Sequence, residues 1–106
     1  MTGCSFLLLK ALGDTFKRQH DPLRAMRYYQ GGLNCVNEFL EIEPHNPRWL
    51  KYRSLFLTDI GDILEAEDHL QAALEHYLYA LEAAQKALVL SEQQHLSFAG
   101  IVESPM

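Results

Sequence analysis

Leu9, Leu12, Gly13, Phe16, Ala25, Tyr29 and Gly32 are followed 48 positions later by Leu57, Ile60, Gly61, Leu64, Ala73, Tyr77 and Ala80. The same kinds of residue return in register, so the chain is an internal repeat. Each copy sets apolar residues three and four apart, then a small residue, then an aromatic four later, as two packed antiparallel helices require. Glycine inside a helix costs about 1 kcal/mol against alanine, and close approach of a partner helix is the expected reason for Gly13 and Gly61. Ala25 and Ala73 are expected to cross those glycines, with Tyr29 and Tyr77 filling the space beside the crossing.

Start and stop signals divide the repeat into helices. The first is expected from about Gly3 to Arg18, with Leu8, Leu9, Leu12 and Phe16 on one stripe. Asp21-Pro22 supplies an N-cap and a first-turn proline for a second helix reaching about Glu43, where Pro44 stops it. Asn46-Pro47 repeats that signal, and Trp49, Tyr52, Phe56, Ile60, Ile63 and Leu64 carry a third helix to about Ala66. Asp68 with Gln71 forms a capping-box signature for a fourth helix reaching about Gln94. No strand pattern competes, so the fold is expected to be all-α. Residues 97–106, with Gly100 and Pro105 and no helical stripe, are expected to form a flexible C-terminal tail behind a single helical domain over residues 1–96.

Across roughly residues 5 to 90 the chain resembles the tetratricopeptide repeat family. Leu12-Gly13, Phe16, Ala25 and Tyr29, and Ile60-Gly61, Leu64, Ala73, Tyr77 and Ala80, carry the likeness. Gly32 stands where the family has alanine, a leucine stands for the opening tryptophan, and the closing proline is missing from both copies. The spacing of 48 exceeds the family's usual repeat of about 34 residues, so the helices are longer than usual. The resemblance implies two antiparallel hairpins, about 5–43 and 47–95, stacked as a short right-handed α-solenoid. It also implies a concave groove for a peptide or helix, lined by Leu7, Lys10, Asp14, Lys17 and Arg18 in the first repeat and by Leu55, Thr58, Asp62, Glu65 and Ala66 in the second. Members that clamp a C-terminal carboxylate use Lys and Asn there; Lys10 fits, but Asp14 and Asp59 replace the amides and repel such a ligand. A plain four-helix bundle uses the same helices but does not explain the recurrence in register.

Charge excludes some partners and suggests others. The net charge is −5. Residues 1–53 carry +3, whereas residues 54–106 carry −8, with Lys86 as their one cation. Nonspecific nucleic-acid binding needs clustered cations and is not expected. Asp62 and Glu65 favour a basic partner, and the asymmetry also suits self-contact between unlike halves. No secretory signal or membrane span is evident, so the expected setting is cytoplasmic. Cys4 and Cys35 are read as free thiols, with a bridge between facing helices as the alternative.

Enzyme signatures are absent. The five histidines show no i, i+4 metal pair, Glu92-Gln93-Gln94-His95 is a single copy of a motif that di-iron bundles use twice, and no nucleophile elbow or phosphate loop occurs. Asp59, Asp62 and Glu65 form a carboxylate ladder, read as a solvated face. No metal or cofactor is expected. The expected function is a non-catalytic protein-binding adaptor or scaffold. The alternatives are a homodimer through the last helix, whose Leu74, Leu78, Leu81 and Leu88 have no following repeat to cover them, and a piece of a longer repeat protein. The tail's Phe98, Ile101 and Val102 are a conceivable internal occupant of the groove.

Overall fold

The computed structural model describes residues 4–103, with side chains as far as residue 94. It contains α1 (Phe6–Arg18), α2 (Pro22–Ile42), α3 (Pro47–Ala66) and α4 (Leu70–Glu103), and no strand among the described residues. Asp21 caps α2 through a 3.2 Å hydrogen bond from the Arg24 amide, and Asn46 caps α3 through a 2.9 Å bond from the Arg48 amide. Each cap is followed by proline, whose missing N–H costs nothing in a first turn.

The turns after α1 and α3 are copies of one motif. His20 and Asp68, 48 residues apart, both take left-handed backbone angles, with φ of 59° and 66°. The Asp21 amide then bonds the Phe16 carbonyl at 2.9 Å and the His20 amide bonds Lys17 at 3.1 Å. In the second copy His69 bonds Leu64 at 2.8 Å and Asp68 bonds Glu65 at 3.0 Å. These are Schellman closures, which satisfy the last free carbonyls of a helix. Asp68 is therefore spent on the turn and does not form the expected capping box; the His69 carbonyl accepts the Ala73 amide instead.

Three other expectations are corrected. The first helix begins at Phe6, not near Gly3, which lies outside the described residues. α4 continues to Glu103, well past Gln94, because no proline interrupts residues 70–103 and a single glycine inside a helix is tolerated. Residues 97–103, expected to be a loose tail, are thus helical. The two cysteines are not free: Cys4 and Cys35 form a disulfide, with Cα atoms 5.7 Å apart, tying the entry of α1 to the middle of α2. The close approach of the two helices brings both within bridging range.

α1 packs on α2, α2 on α3 and α3 on α4, so neighbours in sequence are neighbours in space. The radius of gyration is 16.5 Å; a compact domain of this length has about 13 Å. Tyr29, Phe56, Ile60 and Val36 are fully buried at the centre, each worth about 1.5–3 kcal/mol of apolar burial. Phe6 gathers three helices at one end: its ring lies 4.8 Å from Tyr52, 5.6 Å from Trp49 and 5.9 Å from Phe39.

The helix glycines are explained by rings rather than by the crossing alanines. A Cβ on Gly13 would lie 2.5 Å from the Tyr29 ring, and one on Gly61 would lie 2.7 Å from Tyr77. Gly32 receives the Phe56 ring of α3 in the same way. Ala25 and Ala73 are buried nearby, as small residues must be for the rings to reach backbone.

Two stability predictions follow from these contacts. Gly13→Ala should destabilise by about 1–3 kcal/mol through overpacking, whereas Gly31→Ala, whose Cβ would meet Leu9 at an ordinary 3.6 Å, should gain up to about 1 kcal/mol. Equal effects in denaturant titrations would contradict the ring-on-backbone contact. His20→Gly and Asp68→Gly should each stabilise by about 1 kcal/mol by relieving the left-handed strain, and a lowered unfolding midpoint would count against the turn geometry.

Candidate functional site

Five of the ten residues expected to line the groove, Lys10, Asp14, Lys17, Asp62 and Glu65, are joined to other groups of the chain by cross-helix bonds. Lys10 on α1 reaches across to Asp59 on α3 at 3.0 Å and also meets Asp14 at 3.3 Å. Two turns further along α1, Lys17 reaches Asp62 at 3.2 Å. The Tyr29 hydroxyl donates to Asp14, and the Tyr77 hydroxyl donates to Asp62 at 2.6 Å and to Glu65 at 2.8 Å. Position 14 plus 48 is 62, and 29 plus 48 is 77, so the tyrosine–aspartate bond repeats along with the glycine beneath it.

The consequence is a surface whose charges are largely answered from within. Such half-exposed pairs are worth about 0–1 kcal/mol each and fix the two hairpins in register more than they stabilise them. The carboxylate ladder of α3 is taken up by Lys10, Lys17 and Tyr77. Leu7, Arg18 and Leu55 are exposed and Thr58 is half-buried. Arg18 bonds only Thr15 of its own helix, at 3.5 Å, among the described residues. The side chains of Phe98, Ile101 and Val102 lie outside the described residues.

Burial pushes the Tyr29 phenol well above its usual 10.0, and the bond to Asp14 adds to the shift. Tyr77 moves the same way, through burial and its bonds to Asp62 and Glu65. Burial raises the Asp59 carboxyl above 3.8, an effect that Lys10 offsets only in part. For Lys10, burial works downward, but the hydrogen bond and charge of Asp59 together with Asp14 outweigh it and hold the ammonium above 10.5.

A second surface is apolar. α2 carries two rows of side chains. Ala25, Tyr29, Gly32, Cys35 and Phe39 form one row, and the Tyr29 ring lies on Gly13 of α1. Met26, Leu33, Val36 and Leu40 form the other, and Leu40 shares a depression with Leu50 and Arg53 of α3. Both rows reappear on α4. The first becomes Ala73, Tyr77, Ala80, Ala83 and Ala87, with all four alanines buried. The second becomes Leu74, Leu81, Ala84 and Leu88, and it is open: the leucines are 53%, 54% and 60% exposed, where Leu33 and Val36 are 7% and 0% exposed. Leu78, between the leucines, is also exposed. α4 therefore turns alanine inward and leucine outward, the reverse of an ordinary surface helix.

Beside that row lies an open groove of about 830 Å3 between α3 and α4, with Arg48, Lys51 and Leu55 on one wall and Ala84 and Leu88 on the other. Sequence reading found the leucines through the missing third repeat. It missed the groove, because the pairing of α3's first turns with α4's later ones depends on how far along the two helices run side by side.

Comparison with known proteins gives no matching family model, no matching curated protein and no matching solved structure. The likeness to tetratricopeptide repeats therefore rests on this chain's own residues.

A phenol whose folded pKa is raised stabilises the fold fully below its unfolded value and loses that contribution as pH rises through the folded one. Stability should thus fall as pH climbs above 10.0, and the double variant Tyr29→Phe, Tyr77→Phe should flatten that fall. An unchanged slope in pH-resolved unfolding would contradict the tyrosine–carboxylate bonds.

Proposed function

We propose that the chain is a non-catalytic protein-interaction module of the tetratricopeptide kind, an adaptor or scaffold built from two hairpins stacked as a short right-handed solenoid. The observation that carries this reading is the row of Leu74, Leu81 and Leu88, exposed on α4 although the counterpart row on α2 is buried at Leu33 and Val36 and half-buried at Met26 and Leu40. A contiguous apolar stripe of this kind marks a contact surface. The face of α1 and α3 is the weaker candidate, since Lys10, Lys17, Asp59 and Asp62 already pair with one another. Self-association through α4 is the second reading, favoured by the spacing of Leu74, Leu78, Leu81 and Leu88, which follows a coiled-coil seam with Gln85 as its one polar step.

No helix among the described residues is long and apolar enough to cross a membrane. The Cys4–Cys35 bridge bears on compartment, because disulfides persist mainly in oxidising surroundings. A cytoplasmic setting would pair with the reduced form of these cysteines, and the bridged form favours an oxidising one.

A photo-crosslinking residue placed at Leu81 should join the protein to another chain in cells, whereas the same residue at Glu41, exposed on α2, should not. Equal yields at the two positions would sink the reading. Adducts at twice 12.2 kDa would favour self-association over an external partner.

A further inference from the structure

The first hairpin shows what belongs beside the second. Phe6 of α1 and Val36, Phe39 and Leu40 of α2 form the walls of a cleft that α3 fills. Trp49 lies against both Phe6 and Phe39, at 5.6 and 4.8 Å between ring centres, Tyr52 lies 4.8 Å from Phe6, and the Phe56 ring rests on Gly32. Moving those walls forward by 48 residues gives Ser54 on α3 and Ala84, Ala87 and Leu88 on α4. All four line the open groove. It is the same cleft without its helix.

The walls also state what kind of helix fits. Serine replaces Phe6, alanine replaces Val36 and alanine replaces Phe39, so the groove is roomier than its model in the first hairpin. Tight packing there requires large side chains from the occupant. Among the described residues, Arg48 and Lys51 line the same groove and no carboxylate does. Neither cation forms a salt bridge among the described residues, and the Arg48 guanidinium lies over the Trp49 ring, 5.2 Å from its centre.

Resting on the reading of α4 as an interaction surface, we infer that the groove between α3 and α4 binds an amphipathic helix of another protein. That helix presents aromatic or large aliphatic residues at the three- and four-residue steps of Trp49, Tyr52 and Phe56, and an acidic flank to Arg48 and Lys51. Burial of the anchors supplies affinity, and the flank supplies choice of partner. A second copy of this chain is the poorer occupant. Its α1 would bring Lys10, Lys17 and Arg18 to a basic groove, and an antiparallel twofold pair of α4 helices would keep both α3 edges on one side, cation beside cation.

The probe is a synthetic peptide of residues 47–66, the helix that fills the equivalent cleft, made once with its own Arg48, Lys51 and Arg53 and once with all three changed to glutamate. Binding to the whole protein is read by fluorescence anisotropy at low and high salt. The acidic peptide should bind at least about fivefold more tightly than the basic one at low salt, as three exposed charge reversals facing Arg48 and Lys51 imply. Arg48→Glu with Lys51→Glu in the protein should reverse that preference. Ala84→Glu, at an exposed position that leaves the core untouched, should abolish binding of both peptides. Preference for the basic peptide, indifference to the charge reversal, or binding that survives Ala84→Glu would each overturn the inference. So would failure of both peptides to bind. In that event crosslinking at Leu81 still decides whether α4 is an interaction surface, so the two failures are told apart.

Discussion

A tyrosine ring packed directly against a neighbouring helix's glycine is the contact on which the rest of the structure depends. It occurs as Tyr29 on Gly13 and again as Tyr77 on Gly61, and each leaves no space for a Cβ. The ring sets the separation of the two helices. Its hydroxyl then reaches the aspartate next in sequence to the glycine, Asp14 or Asp62, and fixes their rotation. With separation and rotation set, the same aspartates and their neighbour Asp59 stand where Lys10 and Lys17 can reach from helix to helix. One short-range packing contact thereby orders a polar surface that spans both halves of the chain.

The repeat also works as an internal control. Every side chain of the first half has a counterpart 48 residues on, so a difference in burial between counterparts reports a difference in neighbours rather than in local propensity. Leu33 is buried and Leu81 is open for one reason: α3 covers the first, and no described element covers the second. The inward face of α4 has meanwhile shrunk to alanine, which lets α3 and α4 run close together and pushes the apolar bulk to the outside. Charge follows the same division, with pairs closed inside the α1–α3 face and Arg48 and Lys51 left open at the α3–α4 groove.

Much of this was legible in the residues. Asp21-Pro22 and Asn46-Pro47 announce helix starts because cap and proline act within one turn, and both starts are where the sequence places them. The exposed leucines were legible by counting repeats. Other features depend on geometry that spacing does not carry. Asp68 reads as a cap, yet its place in the turn is set by the left-handed closure it shares with His20, a symmetry visible only once backbone angles are known. The Cys4–Cys35 bridge depends on how α1 and α2 cross, and α4's run to Glu103 depends on the lack of any strong stop before Pro105. The ion pairs of Lys10 and Lys17 were hidden for the same reason, since their partners Asp59 and Asp62 lie on another helix.

The claim that most needs testing is that counterpart rows on α2 and α4 differ in cover. Hydroxyl-radical footprinting of the protein, at a dilution where light scattering gives a monomer, reads side-chain exposure one residue at a time. The account predicts that Leu74, Leu81 and Leu88 are oxidised several times faster than Leu33, Val36 and Leu40, scaled to intrinsic reactivity. Equal protection of the two rows would contradict it, and would mean that α4 is already covered within the single chain.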